Sequence, residues 1–117
     1  MSQAIIYHTP RCSKSRATLA LLQSQQLDTQ IIKYLETPPS PQTLKKLLKM
    51  LDLSPRDILR TGEQEYTDFG MDNPDLSDDQ LLQLMSANPK VIERPIVVYQ
   101  DKAVLGRPPE NVLELIA

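Results

Sequence analysis

Two apolar runs of strand length, Ala4-Ile5-Ile6-Tyr7 and Gln30-Ile31-Ile32-Lys33-Tyr34-Leu35, enclose a single stretch of helical character, Ala17-Thr18-Leu19-Ala20-Leu21-Leu22, all within the first 35 residues. Residues 3–7 read as a buried strand, 12–25 as a helix and 30–35 as a second strand rich in β-branched and aromatic side chains. A strand, a helix and a strand joined by such short segments form a βαβ unit, whose strands are parallel and whose crossover is right-handed. Everything downstream has to extend or cover that unit. At 117 residues the chain is long enough for one domain with a real core and too short for two.

The rest of the chain supplies the extension. Pro38-Pro39-Ser40-Pro41 breaks the backbone and restarts it, because Ser40 can cap a helix and Pro41 suits its first position. Leu44, Leu47, Leu48 and Leu51 then recur at helical spacing. Ser54-Pro55 opens a shorter helix through Arg60 that Thr61-Gly62 ends, and residues 63–76 read as irregular with one helical turn. Ser77-Asp78-Asp79-Gln80 is a capping box that launches a helix closed by Asn88-Pro89. Ile96-Val97-Val98-Tyr99 and Ala103-Val104-Leu105, joined at Asp101-Lys102, read as a hairpin, and a last helix runs from Glu110 to Ile116. The order βαβ, helices, ββα defines an α/β chain with a mixed four-stranded sheet of the thioredoxin-like type. Residues 1–117 form one such domain, with about residues 40–90 as a helical insertion between its two halves.

Composition excludes several classes of function. The formal charge of −2 gives no global signal for nucleic acid or a membrane surface, although residues 61–86 hold seven acids and no base. No apolar run is long enough to span a bilayer, and Met1-Ser2-Gln3 leads straight into the first strand without a signal-peptide pattern, which makes the cytoplasm the expected location. One cysteine and one histidine cannot supply the several thiolate and imidazole ligands of a zinc-type site. A lone cysteine also excludes a Cys-x-x-Cys dithiol centre.

That cysteine, Cys12, lies at the first strand-to-helix junction, flanked by Arg11, Ser13, Lys14, Ser15 and Arg16. Free backbone N–H groups and nearby cations at a helix start favour a thiolate. Lowering a thiol pKa from about 8.5 to about 6 takes roughly 3 kcal/mol, and a helix end contributes about 0.3–1 kcal/mol, so further charges are required. Ser15 can reach back to the sulfur or cap the helix, and His8, at the end of the first strand, can perturb the thiol or serve structure. Downstream, Arg94-Pro95 precedes the third strand, where thioredoxin-like folds place a cis-proline facing the cysteine; Pro95 is the candidate. Arg94 would then lie beside the sulfur, Arg107 comes to the same end of the sheet, and Arg60 can swing in from above. Three guanidinium forks and a thiolate suit a tetrahedral oxyanion. One cysteine supplies one nucleophilic electron pair but cannot close a disulfide, so an external thiol must complete any two-electron reduction, and no bound redox cofactor is needed.

His8 to Arg16, Tyr34-Leu35-Glu36-Thr37-Pro38, Arg60, Glu93-Arg94-Pro95-Ile96-Val97-Val98 and Gly106-Arg107-Pro108-Pro109 together resemble the glutaredoxin-linked arsenate reductase family, essentially end to end. The resemblance implies that Cys12 attacks arsenate, that Arg60, Arg94 and Arg107 bind the oxyanion, that His8 is linked to the low thiol pKa and that the Ser15 hydroxyl contacts the sulfur. It further implies glutathione as the external thiol and glutaredoxin as the partner that resolves the mixed disulfide; the chain is expected to be a monomer. Thr9 departs from the Asn that family members often carry, and the chain stops after the last helix, without the tail of longer members. Two alternatives stay open: a monothiol glutathione-linked thiol-disulfide oxidoreductase, and a redox-responsive regulator of the same superfamily that binds RNA polymerase.

Overall fold

The computed structural model describes residues 3–116. Its elements are β1 (Gln3–His8), α1 (Ser13–Ser24), β2 (Asp28–Lys33), α2 (Pro41–Leu51), α3 (Gln64–Asp68), α4 (Asp78–Ala87), β3 (Ile96–Tyr99), β4 (Lys102–Leu105) and α5 (Asn111–Ile116). The chain forms two compact units: a sheet unit of the residues up to 37 and from 94 onward, and a helical unit of residues 38–93.

In the sheet unit the strands lie in the order β2-β1-β3-β4. β1 and β2 are parallel, while β3 runs antiparallel to both β1 and β4, which is the mixed sheet of a thioredoxin-like fold. Alternation along β1 sets one face: Ala4 and Ile6 are fully buried and join Leu22 of α1, Val97 of β3 and Val112 of α5 in the core. Continuing the same period places His8 on that face too, at the strand's last residue, where it is buried. The side of α1 that is buried reads Ser15, Thr18 and Leu22, so its apolar contact gives way to hydroxyls toward the N-terminus.

Several boundaries differ from the sequence expectation. β2 begins at Asp28 rather than at residue 30, because pairing in register with β1 from Gln3↔Asp28 to His8↔Lys33 recruits polar residues onto an edge strand; Tyr34 and Leu35 fall in the turn beyond it. The hairpin turns at Gln100 and Asp101, with φ of 51° and 65°, which frees Lys102 to pair with Tyr99. Positive φ at both central positions matches the right-handed twist of the flanking strands.

In the helical unit, α2 buries Leu44, Leu47 and Leu48 and packs on α4, which buries Leu81, Leu82 and Met85. Ser40 Oγ accepts from Thr43 N–H at 3.1 Å, and Ser77 and Gln80 close the expected capping box at 3.1 and 2.8 Å. The short helix that starts at Pro55 is a 3₁₀ turn and stops at Ile58, two residues earlier than expected, because Leu59 turns extended and bridges Ile92. That bridge, with Arg60 N–H on Val91 O at 2.7 Å and Glu93 N–H on Ile58 O at 2.8 Å, sets Arg60 and Glu93 side by side.

Ile6 is one of five fully buried residues of this core, so Ile6→Ala should cost about 2–5 kcal/mol in urea unfolding. A loss below about 1 kcal/mol would mean that the sheet unit does not depend on this core.

Candidate active site

Cys12 is the N-cap of α1, with φ −88° and ψ 123°. Its N–H donates to Thr9 O at 3.0 Å, closing a turn, and its carbonyl accepts the first helical bond from Arg16 at 3.0 Å. In this position a side chain faces the free N–H groups of the first helical turn. Partial burial pushes the thiol pKa up, but the N–H groups of Ser15 and Lys14, a side-chain hydrogen bond from Arg94 and the charge of Arg107 outweigh it, leaving the thiol below its ordinary value. Arg107 Nη2 donates to the sulfur at 3.5 Å.

The two arginines are positioned by each other and by the loops that carry them. The Arg94-Pro95 peptide is cis, as is Arg107-Pro108, for which the sequence offered no separate signal. Arg107 Nε donates to the Arg94 carbonyl at 2.7 Å. Arg94 Nη1 donates to the Tyr34 hydroxyl at 3.3 Å, and Tyr34 is buried. Contact with Tyr34 and with Cys12 outweighs burial and raises the Arg94 pKa, so the guanidinium remains a fixed positive charge. Gly106 N–H donates to Pro95 O at 2.9 Å. A Cβ on Gly106 would collide with Thr18 Oγ1 and lie 2.7 Å from Pro95 Cγ, so the approach of this strand end to the proline loop requires glycine.

His8 and Ser15 form a second, buried layer. His8 Nδ1 and Ser15 Oγ are 2.6 Å apart, and Thr9 N–H donates to the same hydroxyl at 3.1 Å. Burial, then the charges of Lys33 and Arg16, hold the His8 pKa below its ordinary value. Ser15 Oγ accepts from Thr9 N–H and shares one hydrogen bond with His8 Nδ1, whose direction follows the ring tautomer. Ser15 therefore reaches the sulfur through its backbone N–H, while its hydroxyl ties the helix start to the end of β1. His8 acts on this layer through the Ser15 hydroxyl.

The structure brings Cys12, Arg94 and Arg107 together beside Pro95, with His8 and Ser15 behind them. Arg60 belongs to the helical unit, where its Nε contacts Glu63 at 3.3 Å and its Nη1 contacts Glu93 at 3.1 Å. The local cations act less directly than their spacing suggests. Arg16 Nη1 donates to Pro10 O at 2.9 Å and so braces the loop, and Lys14 acts on the sulfur through its backbone N–H. Sequence reasoning missed Tyr34, Thr18 and Gly106 as parts of the site; a tyrosine directly after an edge strand and a glycine directly before Arg107 were the available signals. Among the described residues, no three His, Cys, Asp or Glu side chains cluster as a metal ion would need.

These features define a thioredoxin-like domain built around one activated thiol. The chain belongs to the ArsC family, whose model matches residues 7–115. It is 48% identical to the uncharacterised protein YfgD of Escherichia coli K12, over 97% of both chains. It is 44% identical to an arsenate reductase of Haemophilus influenzae, covering 96% of this chain and 97% of that one. Among solved structures, a putative arsenate reductase from Yersinia pestis superposes with a TM-score of 0.91 at 55% identity, covering 95% of this chain and 98% of that one. An arsenate reductase from Vibrio cholerae superposes at 0.93 with 50% identity and 97% coverage of each.

The Cys12 thiolate should form below the ordinary thiol value of about 8.5, read as the pH dependence of alkylation. Arg107→Gln removes one cation from the sulfur and should raise that inflection by about one unit. An unchanged inflection would mean that the guanidinium does not set the thiol's acidity.

Proposed function

We propose that this chain reduces arsenate to arsenite, with Cys12 as nucleophile, glutathione as the external thiol and glutaredoxin as the partner that resolves the mixed disulfide. The observation that supports it is the convergence of Arg94 and Arg107 on the sulfur of the only cysteine. Charges that stabilise the thiolate also draw a tetrahedral dianion to the attacking atom and neutralise it as the bond forms. Arg60 joins them as the third oxyanion ligand on the family resemblance. His8 and Ser15 hold the helix start so that its N–H groups stay aimed at the sulfur.

The thiolate displaces one arsenate oxygen, which leaves as water after protonation, and an arsenic(V)–sulfur adduct forms. Glutathione attacks the sulfur of that adduct, the arsenic–sulfur bond breaks with its electron pair left on arsenic, arsenite departs and a Cys12–glutathione mixed disulfide remains; a glutaredoxin thiol then attacks the glutathione sulfur, which frees the Cys12 thiolate and leaves the disulfide on the external thiols. Overall, arsenic acid and two thiols give arsenous acid, one disulfide and water; arsenic gains the two electrons that the thiols lose. A reaction that draws on reduced glutathione suits the reducing cytoplasm, and the proposed enzyme acts as a monomer.

Steady-state assay with arsenate, glutathione and glutaredoxin should show turnover that needs all three and disappears in Cys12→Ser. Arg94→Gln or Arg107→Gln should lower kcat/KM for arsenate by about 10²-fold or more. Turnover that is independent of arsenate, with activity on a glutathione mixed disulfide that survives both arginine substitutions, would instead identify a monothiol thiol-disulfide oxidoreductase.

A further inference from the structure

Arg94 donates a hydrogen bond to the Cys12 sulfur, and its Nη1 donates to the Tyr34 hydroxyl at 3.3 Å. Both partners belong to the sheet unit, but Tyr34 stands sixty positions before Arg94 in the chain. An arginine has large rotamer freedom and does not hold its own head group in place. Its direction has to come from a neighbour that is itself fixed.

Tyr34 is fixed because of the way β2 ends. The strand stops at Lys33, and the N–H groups of Glu36 and Thr37 both return to the Lys33 carbonyl at 3.0 Å, so the chain turns at once. Lys33, Glu36 and Thr37 are exposed on that turn, whereas Tyr34 is only 1% exposed. A ring enclosed at core density has little room to change rotamer, and a buried phenol keeps its apolar body packed while its hydroxyl meets a polar partner. The hydroxyl is thus a fixed point against which the guanidinium can be set.

The chemistry of that point matters as much as its rigidity. A carboxylate in the same place would orient the guanidinium and also offset its charge. A neutral hydroxyl accepts one N–H and leaves the positive charge to act on the sulfur and on an oxyanion.

We propose that Tyr34 is a positioning residue for the reaction: its hydroxyl holds the Arg94 guanidinium in the orientation that serves first the thiolate and then the arsenate oxyanion. The proposal rests on the reading of the chain as an arsenate reductase, and it adds to the arginines a group that acts through one of them. Without the hydroxyl, Arg94 keeps its charge and loses its direction. Thiol acidity and arsenate reduction then suffer together.

Tyr34→Phe removes the hydroxyl and keeps the ring, and it is compared in two backgrounds, the native chain and Arg94→Gln. The first readout, the pH dependence of Cys12 alkylation, needs no arsenate. Tyr34→Phe should raise the inflection by about half a unit in the native chain and leave it unmoved in Arg94→Gln. The second is kcat/KM for arsenate with glutathione and glutaredoxin present. It should fall about tenfold in the native chain and less than about twofold in Arg94→Gln, because a group that acts through Arg94 has nothing to act on once that guanidinium is gone. Equal effects in the two backgrounds would show that the hydroxyl only supports the fold, and would overturn the proposal. So would native values of both readouts in Tyr34→Phe. A chain whose alkylation responds as expected but which reduces no arsenate in any form keeps Tyr34 as the group that holds Arg94 and loses the substrate proposed above. One that reduces arsenate with an unaltered kcat/KM in Tyr34→Phe does the reverse.

Discussion

The Arg107 guanidinium makes the two contacts on which the site depends. Its Nε holds the Arg94 carbonyl at 2.7 Å while its Nη2 reaches the Cys12 sulfur at 3.5 Å. One planar side chain thus ties the loop before β3 to the start of α1 and places a permanent charge on the nucleophile. The magnitudes show why it is needed. A helix start offers about 0.3–1 kcal/mol, less than the roughly 1.4 kcal/mol that one unit of pKa represents. Burial of the sulfur works in the opposite direction. The N–H groups of Ser15 and Lys14, and after them the guanidinium groups of Arg94 and Arg107, outweigh it, and the arginine contacts leave the site ready for an anionic substrate.

Those contacts rely on packing that is polar where the core ends. The face of β1 that buries Ala4 and Ile6 also buries His8, and the side of α1 that buries Leu22 also buries Thr18 and Ser15. Strand and helix therefore meet first through apolar atoms and then, one turn nearer the nucleophile, through the His8–Ser15 bond. At that depth a mismatch of donors and acceptors is costly, because buried polar groups without partners lose their hydration. Gly106 performs the matching task on the other side, letting the end of β4 close on Thr18 and Pro95.

Much of this was legible in the sequence because strong local signals coincide with tertiary needs. Apolar alternation in residues 4–7, the Ser40-Pro41 and Ser77 to Gln80 helix starts and the two apolar runs after residue 95 all name their elements. What escaped depends on partners far away in sequence. Asp28 is a poor strand former that joins β2 where β1 offers matching backbone groups. The 3₁₀ turn ends at Ile58 because Leu59 bridges Ile92, more than thirty residues later. Tyr34 reads as strand by composition but serves as a buried hydroxyl for Arg94, sixty positions on. Cys12, Arg94 and Arg107 could be named from residue type and spacing, whereas the division of labour between Ser15's hydroxyl and its N–H required coordinates.

The central claim is that one pair of guanidinium groups serves both the thiolate and an incoming oxyanion. Protection of Cys12 tests it most directly: the rate of alkylation by iodoacetamide is measured with and without arsenate, in the absence of any other thiol. Arsenate should slow alkylation in a saturable way in the unmodified chain and lose that effect in Arg94→Gln and Arg107→Gln. Alkylation that arsenate leaves unchanged, or slows equally in the arginine variants, would contradict the account.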